Sequence, residues 1–263
     1  MKTFISTLAG LACTAAFTSV ALADAPGTDV RVKFDEAKMT VAEIQPPLFS
    51  GAKGMAKVPT WYYIDVPMNV QALSKSGEKP RSGTLDNLTV TFYLLVKNPN
   101  PGAGKNSYLK ITKPIHYVNV PVPGAEGSSS VTTHAACFLP PSTVRKLTGR
   151  ENTRAGDLSA YLTLISVDAS YNDKPCKETK DKFAYATKMF GNDNDLRKGL
   201  KDLPRWWTID AKRFPETTDY PVRTIAETPF AAQASGYFPE TNPMYGAAPA
   251  ESATDPAATD TEN

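Results

Sequence analysis

The chain has 263 residues, of which 41% are hydrophobic and 21% are charged, and its formal net charge is +2. These values are ordinary for a globular protein of one large or two small domains. They exclude a small scaffold that depends on a structural metal or a dense set of disulfides, because a chain of this length can bury most of its unfolded surface.

The N-terminal residues have the features of a cleavable signal peptide. Lys2 is followed by an apolar, uncharged run over residues 4–20, and Ala21-Leu22-Ala23 forms an A-x-A site before Asp24. We therefore predict a signal peptide over residues 1–23 and no transmembrane segment after cleavage. A retained anchor is the alternative, although the run is short for a membrane span. Export would place the protein in the periplasm, at the outer membrane or on the cell surface.

A period of two residues predicts β-strands over most of the mature chain. Turn signals rich in Pro, Gly and Asn separate the strands, and strands do not alternate with helices. This pattern predicts an all-β, antiparallel β-sandwich. The proline at position 67 predicts an edge strand or a bulge, and the continuous apolar run of residues 85–97 predicts a central strand. The predicted strands cover residues 29–34, 38–44, 60–73, 85–97, 108–113, 115–122, 131–139, 158–170 and 206–210.

One short helix and a C-terminal tail complete the predicted domain. The helix begins at Asp193 or Asn194, ends before Pro204 and has leucines on one face, and residues 141–147 can add one or two helical turns. Residues 231–263 are rich in Ala, Pro, Thr and acids and are predicted to be a disordered tail. The sandwich domain is therefore expected to span residues 24–230.

A four-residue repeat lies near the C-terminus. Phe214-Pro-Glu-Thr217 recurs as Phe238-Pro-Glu-Thr241. The repeat is either a coincidence between two loops or a short linear motif that docks twice.

Charge and cysteine content bear on partners and on stability. Residues 24–223 carry a net charge of +7 and residues 224–263 carry −6, but the basic residues are scattered, so no nucleic-acid partner is expected. Cys137 and Cys176 remain after the predicted cleavage, and an oxidising compartment favours a disulfide worth about 4 kcal/mol. The alternative is that Cys137 is a small core residue.

The sequence has no recognisable catalytic or metal-binding motif. His116 and His134 lie in predicted strands without the spacing of metal ligands, and strand alternation points His134 and Cys137 to opposite faces. We therefore predict a non-enzymatic protein without a metal or cofactor. A hydrolase whose paired carboxylates come from distant strands is an alternative.

Adjacent aromatic residues form the candidate recognition surface. Alternation places Trp61 and Tyr63 on one face and Tyr62 on the other, and allows only one of Trp206 and Trp207 to face the core squarely. Outward rings can stack on sugar rings or contact a protein partner. The alternative is that they pack across strands, under a loop or at a sheet edge.

Two of the predicted strands resemble a known family. The segments Trp61-Tyr-Tyr-Ile-Asp-Val66 and Leu85-Asp-Asn-Leu-Thr-Val-Thr-Phe-Tyr-Leu-Leu-Val96 are similar to those of secreted verrucomicrobial proteins described as pilus-like. The resemblance implies an immunoglobulin-like sandwich and a structural or adhesive role with type IV pilus-like machinery. Envelope or pilus assembly proteins are then the expected partners. The alternative function is a secreted carbohydrate-binding β-sandwich with a glycan ligand.

Overall fold

The computed structural model describes residues 29–46, 60–73, 80–81, 83–101, 106–122, 132–150, 153–191, 196, 199–200, 205–209, 213–233 and 237–241. The predicted signal peptide lies outside these ranges. Within them, no helix has the length and apolar character needed to cross a membrane.

The described residues contain strands, short α-helices and several 3-10 turns. The 3-10 turns are Glu36–Lys38, Trp206–Thr208, Ile225–Glu227 and Ala231–Gln233. The strands and helices are β1 (Asp29–Phe34), β2 (Thr40–Ile44), β3 (Trp61–Leu73), β4 (Pro80–Arg81), β5 (Gly83–Leu85), β6 (Leu88–Lys97), β7 (Tyr108–Val118), β8 (Val120–Val122), β9 (Thr132–Leu139), α1 (Pro141–Thr148), α2 (Ala155–Leu158), β10 (Leu162–Tyr171), β11 (Lys174–Pro175), β12 (Tyr185–Met189) and β13 (Glu240–Thr241).

Sheet one is built around the long strand β3. β1 and β2 pair with successive halves of one edge of β3, and β9 and β4 pair with the other edge, all antiparallel. The prediction that Pro67 marks an edge strand or a bulge is wrong, because β3 is central. Pro67 accepts a hydrogen bond from the Asp35 N–H (2.8 Å) at the break between β1 and β2. The N–H that proline lacks therefore faces a gap in the ladder and costs no hydrogen bond.

Sheet two has β6 at its centre, as the apolar run predicted. β10 and β7 flank β6, β11 and β12 pair with the far edge of β10, and β13 pairs with the far edge of β7. β5 and β8 form a separate two-stranded ribbon. These pairings are antiparallel, so the all-β antiparallel sandwich is confirmed.

The core lies between the inner faces of the two sheets. Alternate residues of β3, β6 and β10 point inward and are buried, which is the period-two pattern of packed sheets. The inward residues of these three strands include Tyr62, Ile64, Val66, Met68, Val70, Leu88, Val90, Phe92, Leu94, Val96, Ile165, Val167 and Ala169.

Two segments from the described C-terminal part of the chain pack on the outer faces of the two sheets. Trp206, Trp207 and Phe214 pack on Leu95 and Leu164 of sheet two. We call residues 205–214 the sheet-two cover. A second group, on sheet one, comes from residues 223–241, which we call the sheet-one cover, and it contains Ile225, Phe230 and Phe238.

The structured region extends beyond the predicted domain end at residue 230. Tyr237 contacts His134, and β13 pairs with β7. Residues 237–241, which the sequence assigned to the tail, are therefore held by aromatic contacts and a strand pairing. Residues 242–263 lie outside the described residues.

One further local prediction is wrong, and another is confirmed. The predicted strand over residues 206–210 is wrong, because Trp206–Thr208 forms a 3-10 turn. Residues 141–147 belong to the full helix α1, which ends at Gly149 in the left-handed region (φ 70°) that glycine adopts without cost. Of the helix predicted over residues 193–203, residues 196, 199 and 200 are helical and the others lie outside the described residues.

Candidate binding pocket on sheet one

An aromatic pocket lies between the outer face of sheet one and the sheet-one cover. Its volume is about 280 Å³. Strands β2, β3 and β9 form its floor, and the cover forms its walls. The lining residues are Ile44, Tyr63, Phe138, Ile225, Phe230, Tyr237 and Phe238.

Strand alternation supplies the floor of the pocket. Trp61, Tyr63 and Asp65 share the outer face of β3, whereas Tyr62 points into the core and is fully buried, as predicted. The register places Tyr63 directly opposite Phe138 of β9, and their rings stack at 6.1 Å with an interplanar angle of 27°. Such cross-strand aromatic pairs stabilise a sheet and present a flat apolar surface.

The sheet-one cover is attached through the edge of β9. The backbones of Arg223 and Phe138 exchange two hydrogen bonds, of 2.9 and 2.8 Å. The 3-10 turn that follows is closed by a capping box between Thr224 and Glu227. Phe230 then stacks on Phe138 at 6.1 Å and meets the indole of Trp61 edge to face at 5.8 Å.

A polar group stands at one end of the pocket. Asp65 is 7% exposed, and the Nδ1 atom of His134 lies 3.0 and 3.1 Å from its two carboxylate oxygens. Tyr237 donates its hydroxyl proton to Asp65 (3.3 Å), and its ring lies 4.5 Å from the imidazole. Burial and the nearby Asp65 charge raise the pKa of Tyr237, so its hydroxyl stays protonated and able to donate.

These hydrogen bonds join the sheet-one cover to sheet one. A buried carboxylate needs hydrogen-bond donors, and the tyrosine and the histidine supply them. Cys137 lies next to this group in sequence, but its side chain is in the core on the opposite face of β9, as alternation predicted. Asp65, His134 and Tyr237 therefore hold the cover closed at the pocket edge.

The predicted disulfide is not formed. Cys137 and Cys176 are both free and buried, so the alternative assignment of Cys137 as a core residue is the correct one. Cys137 belongs to β9 of sheet one, whereas Cys176 follows β11 at the edge of sheet two. Burial raises the pKa of both thiols, that of Cys176 to about 12, which keeps them in the unreactive protonated form.

The four predicted recognition residues divide into two pairs. Trp206 and Trp207 are 1% and 5% exposed, so they cannot form a recognition surface. The reason is the 3-10 turn, which does not force successive side chains to opposite sides, so both indoles pack on sheet two. Trp61 and Tyr63 are half-buried on sheet one. Tyr63 lines the pocket, and Trp61 supports Phe230 next to it.

Sequence reasoning missed the polar group and the pocket walls. Asp65 is the one charged residue in the run of residues 61–73, and alternation places it on the same face as Trp61 and Tyr63. This charge beside two aromatic residues was the sequence signal for a polar group at the site. The register that brings His134 near Asp65 is a tertiary feature without a local sequence signal. Tyr237 and Phe238 were assigned to the tail.

Potential metal ligands are not grouped in the described ranges. No three His, Cys, Asp or Glu side chains come together there in a way that could hold an ion. His134 is paired with Asp65, and His116 lies 2.8 Å from Thr89 through its Nδ1 atom.

Comparison with known proteins identifies the family. A protein-family model matches residues 24–244, which include all the described strands. The chain belongs to that family. A crystal structure from Akkermansia muciniphila is similar to this chain, with 28% identity and a TM-score of 0.59 over 83% of this chain and 96% of that one. This similarity supports a verrucomicrobial family, in agreement with the resemblance of the strand segments. Among curated proteins, none matches the chain.

Proposed function

We propose that this protein is a non-enzymatic structural or binding protein outside the cytoplasm that works with type IV pilus-like machinery. Membership of a verrucomicrobial family supports the proposal, together with the resemblance of residues 61–66 and 85–96 to pilus-like proteins. The signal peptide predicted over residues 1–23 supports export.

The observation that carries the proposal is the way the chain uses its aromatic residues. Trp206, Trp207 and Phe214 close the outer face of sheet two, and Phe230 and Phe238 cover part of sheet one. Described segments of the C-terminal third therefore cover apolar residues on the outer faces of both sheets. A sandwich covered in this way is expected to meet partners through its edges, its loops and the aromatic pocket described above, as a building block or adaptor would.

Cross-linking in native cells tests this function. A photo-crosslinking residue is placed at Tyr237, which is 55% exposed at the pocket, and in a matched variant at Phe183, which is 47% exposed beside β12 of sheet two. The mature protein is then recovered through an internal tag, and its partners are identified by mass spectrometry. We expect pilus assembly proteins, captured more strongly from one position than from the other. A protein found free and monomeric, with no envelope partner from either position, would contradict the proposal.

Carbohydrate binding is the second candidate, and the pocket favours it. Aromatic faces with a nearby hydrogen-bonding group are the usual means of holding a sugar ring, and here Tyr63 and Tyr237 lie beside Asp65. Glycan-array binding followed by calorimetry tests it. Tyr63→Ala and Tyr237→Ala should each weaken sugar binding at least tenfold, whereas Phe183→Ala should leave it unchanged. Equal binding by all three variants would remove this candidate.

A further inference from the structure

The repeated Phe-Pro-Glu-Thr segment meets the same strand twice. Residues 214–217 and residues 238–241 both lie along the outer edge of β7, one at each end. The first copy runs parallel to β7 and the second runs antiparallel, so both point toward the middle of that edge. Pro114, which cannot donate a ladder hydrogen bond, is located there.

The first copy is held by its backbone and by its side chains. The Lys110 N–H donates to the Pro215 carbonyl and the Thr217 N–H donates to the Lys110 carbonyl, both at 2.9 Å. Glu216 forms an ion pair with the Lys110 ammonium group at 3.3 Å. Phe214 is 3% exposed and meets Trp206 edge to face at 5.8 Å on the outer face of sheet two.

The second copy makes corresponding contacts: its backbone also pairs with β7, and its phenylalanine lies on the outer face of sheet one. Glu240 and Thr241 pair with Val118 and Tyr117, and the Glu240 carboxylate accepts a hydrogen bond from the Asn119 side chain (3.0 Å). Phe238 packs edge to face on Phe138 at 6.3 Å, on the outer face of sheet one.

The two copies therefore share one mode of contact. In each, the phenylalanine enters an outer-face aromatic cluster, the glutamate stays exposed and bonds to a side chain at the β7 edge, and the backbone pairs with β7. The chain context, direction and sheet face differ between the copies. A segment that makes the same contacts in two unrelated contexts carries its own binding determinants, as an edge-binding peptide does.

We propose that Phe-Pro-Glu-Thr is an edge-docking motif of this protein, and that its C-terminal copy is exchanged between molecules. Residues 237–241 of one copy of the chain then occupy the β7 edge of a second copy and insert Phe238 into the pocket cluster of that copy. This inference concerns self-association and does not rest on the proposed function.

The C-terminal copy is the one suited to exchange. Its backbone forms two strand pairs with β7, its Phe238 is half-buried, and Tyr237 before it is 55% exposed. The first copy has a fully buried phenylalanine and is followed by the attachment of Arg223 to β9. Segments with few buried contacts open at lower free energy than the core, so the second copy can leave while the sandwich stays folded.

A cysteine trap tests the exchange on purified full-length protein. Val118→Cys is placed in one chain and Glu240→Cys in another, because these residues are directly opposite and strand partners lie within disulfide range. Mixing the two chains at equal concentration under mild oxidation should give disulfide-linked heterodimers that increase with concentration. A single chain carrying both cysteines serves as the geometric control and should form an internal bond. Lys113→Cys mixed with Glu240→Cys is the matched control, since position 113 lies on the same strand but not opposite, and it should give at least tenfold less dimer.

Binding of a labelled peptide tests the exchange independently. In the wild type, the chain's own residues 237–241 compete with an added peptide for the β7 edge at an effective concentration of about 1 mM. In Phe238→Ala this internal competitor is weakened, so a labelled peptide of residues 234–246 should bind the full-length variant at least tenfold more tightly than the wild type. The same peptide with its own phenylalanine replaced by alanine should not bind. The proposed exchange would be wrong if heterodimers were no more abundant than in the matched control and the peptide did not bind. The motif would then make only intramolecular contacts.

Discussion

Asp168 shows how the fold changes the acidity of a single residue. It lies on the outer face of β10 with its side chain 23% exposed, 3.2 Å from the Tyr93 hydroxyl and 3.9 Å from the Arg205 guanidinium group. Burial raises its pKa above the ordinary value of 3.8, while the hydrogen bond from Tyr93 and the charge of Arg205 oppose the shift. Desolvation therefore raises the pKa of Asp168 by more than these partners lower it.

Replacing this carboxylate should change the pH dependence of stability. Because the folded protein holds the Asp168 proton more tightly than the unfolded chain, the contribution of this group to stability falls as pH rises from about 3.8 through its folded pKa. At pH values above the folded pKa of Asp168, we expect Asp168→Asn to be relatively more stable than the wild type. Between the two pKa values, the free energies of unfolding of the two proteins should change with pH at rates that differ by at most about 1.4 kcal/mol per pH unit. Urea unfolding between pH 3.5 and 7 measures this difference.

Asp35 provides a control of opposite sign. A hydrogen bond from Lys38 is the main cause that lowers the pKa of Asp35, so its stabilising effect is present above its ordinary pKa and is lost as pH falls. Asp35→Asn should therefore lose stability relative to the wild type at neutral pH. The interpretation of Asp168 would be wrong if both variants changed in the same direction.

The two free cysteines should be poorly reactive in the folded protein. Because Cys137 and Cys176 are unpaired and burial raises the pKa of both, the folded mature protein should react with a thiol reagent at pH 8 at least 100-fold more slowly than the unfolded protein. Thiol titration with and without denaturant measures this. Two thiols should appear on unfolding. A mature protein purified from the native envelope with no titratable thiol would show that the disulfide forms there.

The 3-10 turn Trp206–Thr208 shows what one short element contributes to the fold. Trp206 is 1% exposed, and its indole N–H donates to Ser166 Oγ at 2.6 Å. Trp207 stacks on Tyr93 at 4.9 Å. The turn therefore places two large side chains on sheet two within two residues, which a strand could not do.

Truncation of Trp206 should be costly. We expect Trp206→Ala to lower the free energy of unfolding by about 3–5 kcal/mol, because it opens a cavity and leaves the buried Ser166 hydroxyl with one partner fewer. Trp206→Phe keeps most of the packing and should cost less. Trp61→Ala, at a half-buried position, should also cost less. Chemical denaturation ranks the three variants, and a loss below 1 kcal/mol for Trp206→Ala would contradict the buried role.

The two covers differ in how firmly they are attached to the sandwich. The sheet-two cover buries Trp206, Trp207 and Phe214 almost completely, whereas the sheet-one cover encloses an open pocket and ends in the two-residue strand β13. Local stability follows the density of buried contacts. The sheet-one cover is therefore the region expected to open first.

Hydrogen exchange measured by mass spectrometry tests this order. Amides of β13 should exchange at least tenfold faster than those of Trp206–Thr208, and amides in the middle of β6 should exchange only on global unfolding. Tyr237→Phe removes the hydrogen bond to Asp65 and should accelerate exchange in the sheet-one cover alone. Uniform exchange across the three regions would show that the covers unfold with the core.

Local pattern was sufficient for much of the fold. Period-two alternation identified β1, β3, β6 and β9 and placed Tyr62 inward and Trp61 and Tyr63 outward, because side-chain direction in a strand is set by the backbone itself. The same argument separated Cys137 from His134. The continuous apolar run identified β6 as the central strand of sheet two.

The site and the C-terminal third were decided by tertiary structure. Whether Trp206 and Trp207 face solvent, whether Cys137 meets Cys176, and whether His134 reaches Asp65 all depend on which distant segments come together. Residues 237–241 belong to a stretch without a repeating apolar face, so the sequence alone assigns them to a tail, whereas in the structure they meet the aromatic cluster of sheet one and the edge of β7. Strand patterns are local, so the sequence was enough to predict the sandwich, whereas the covers and the pocket arise from contacts between residues far apart in the chain.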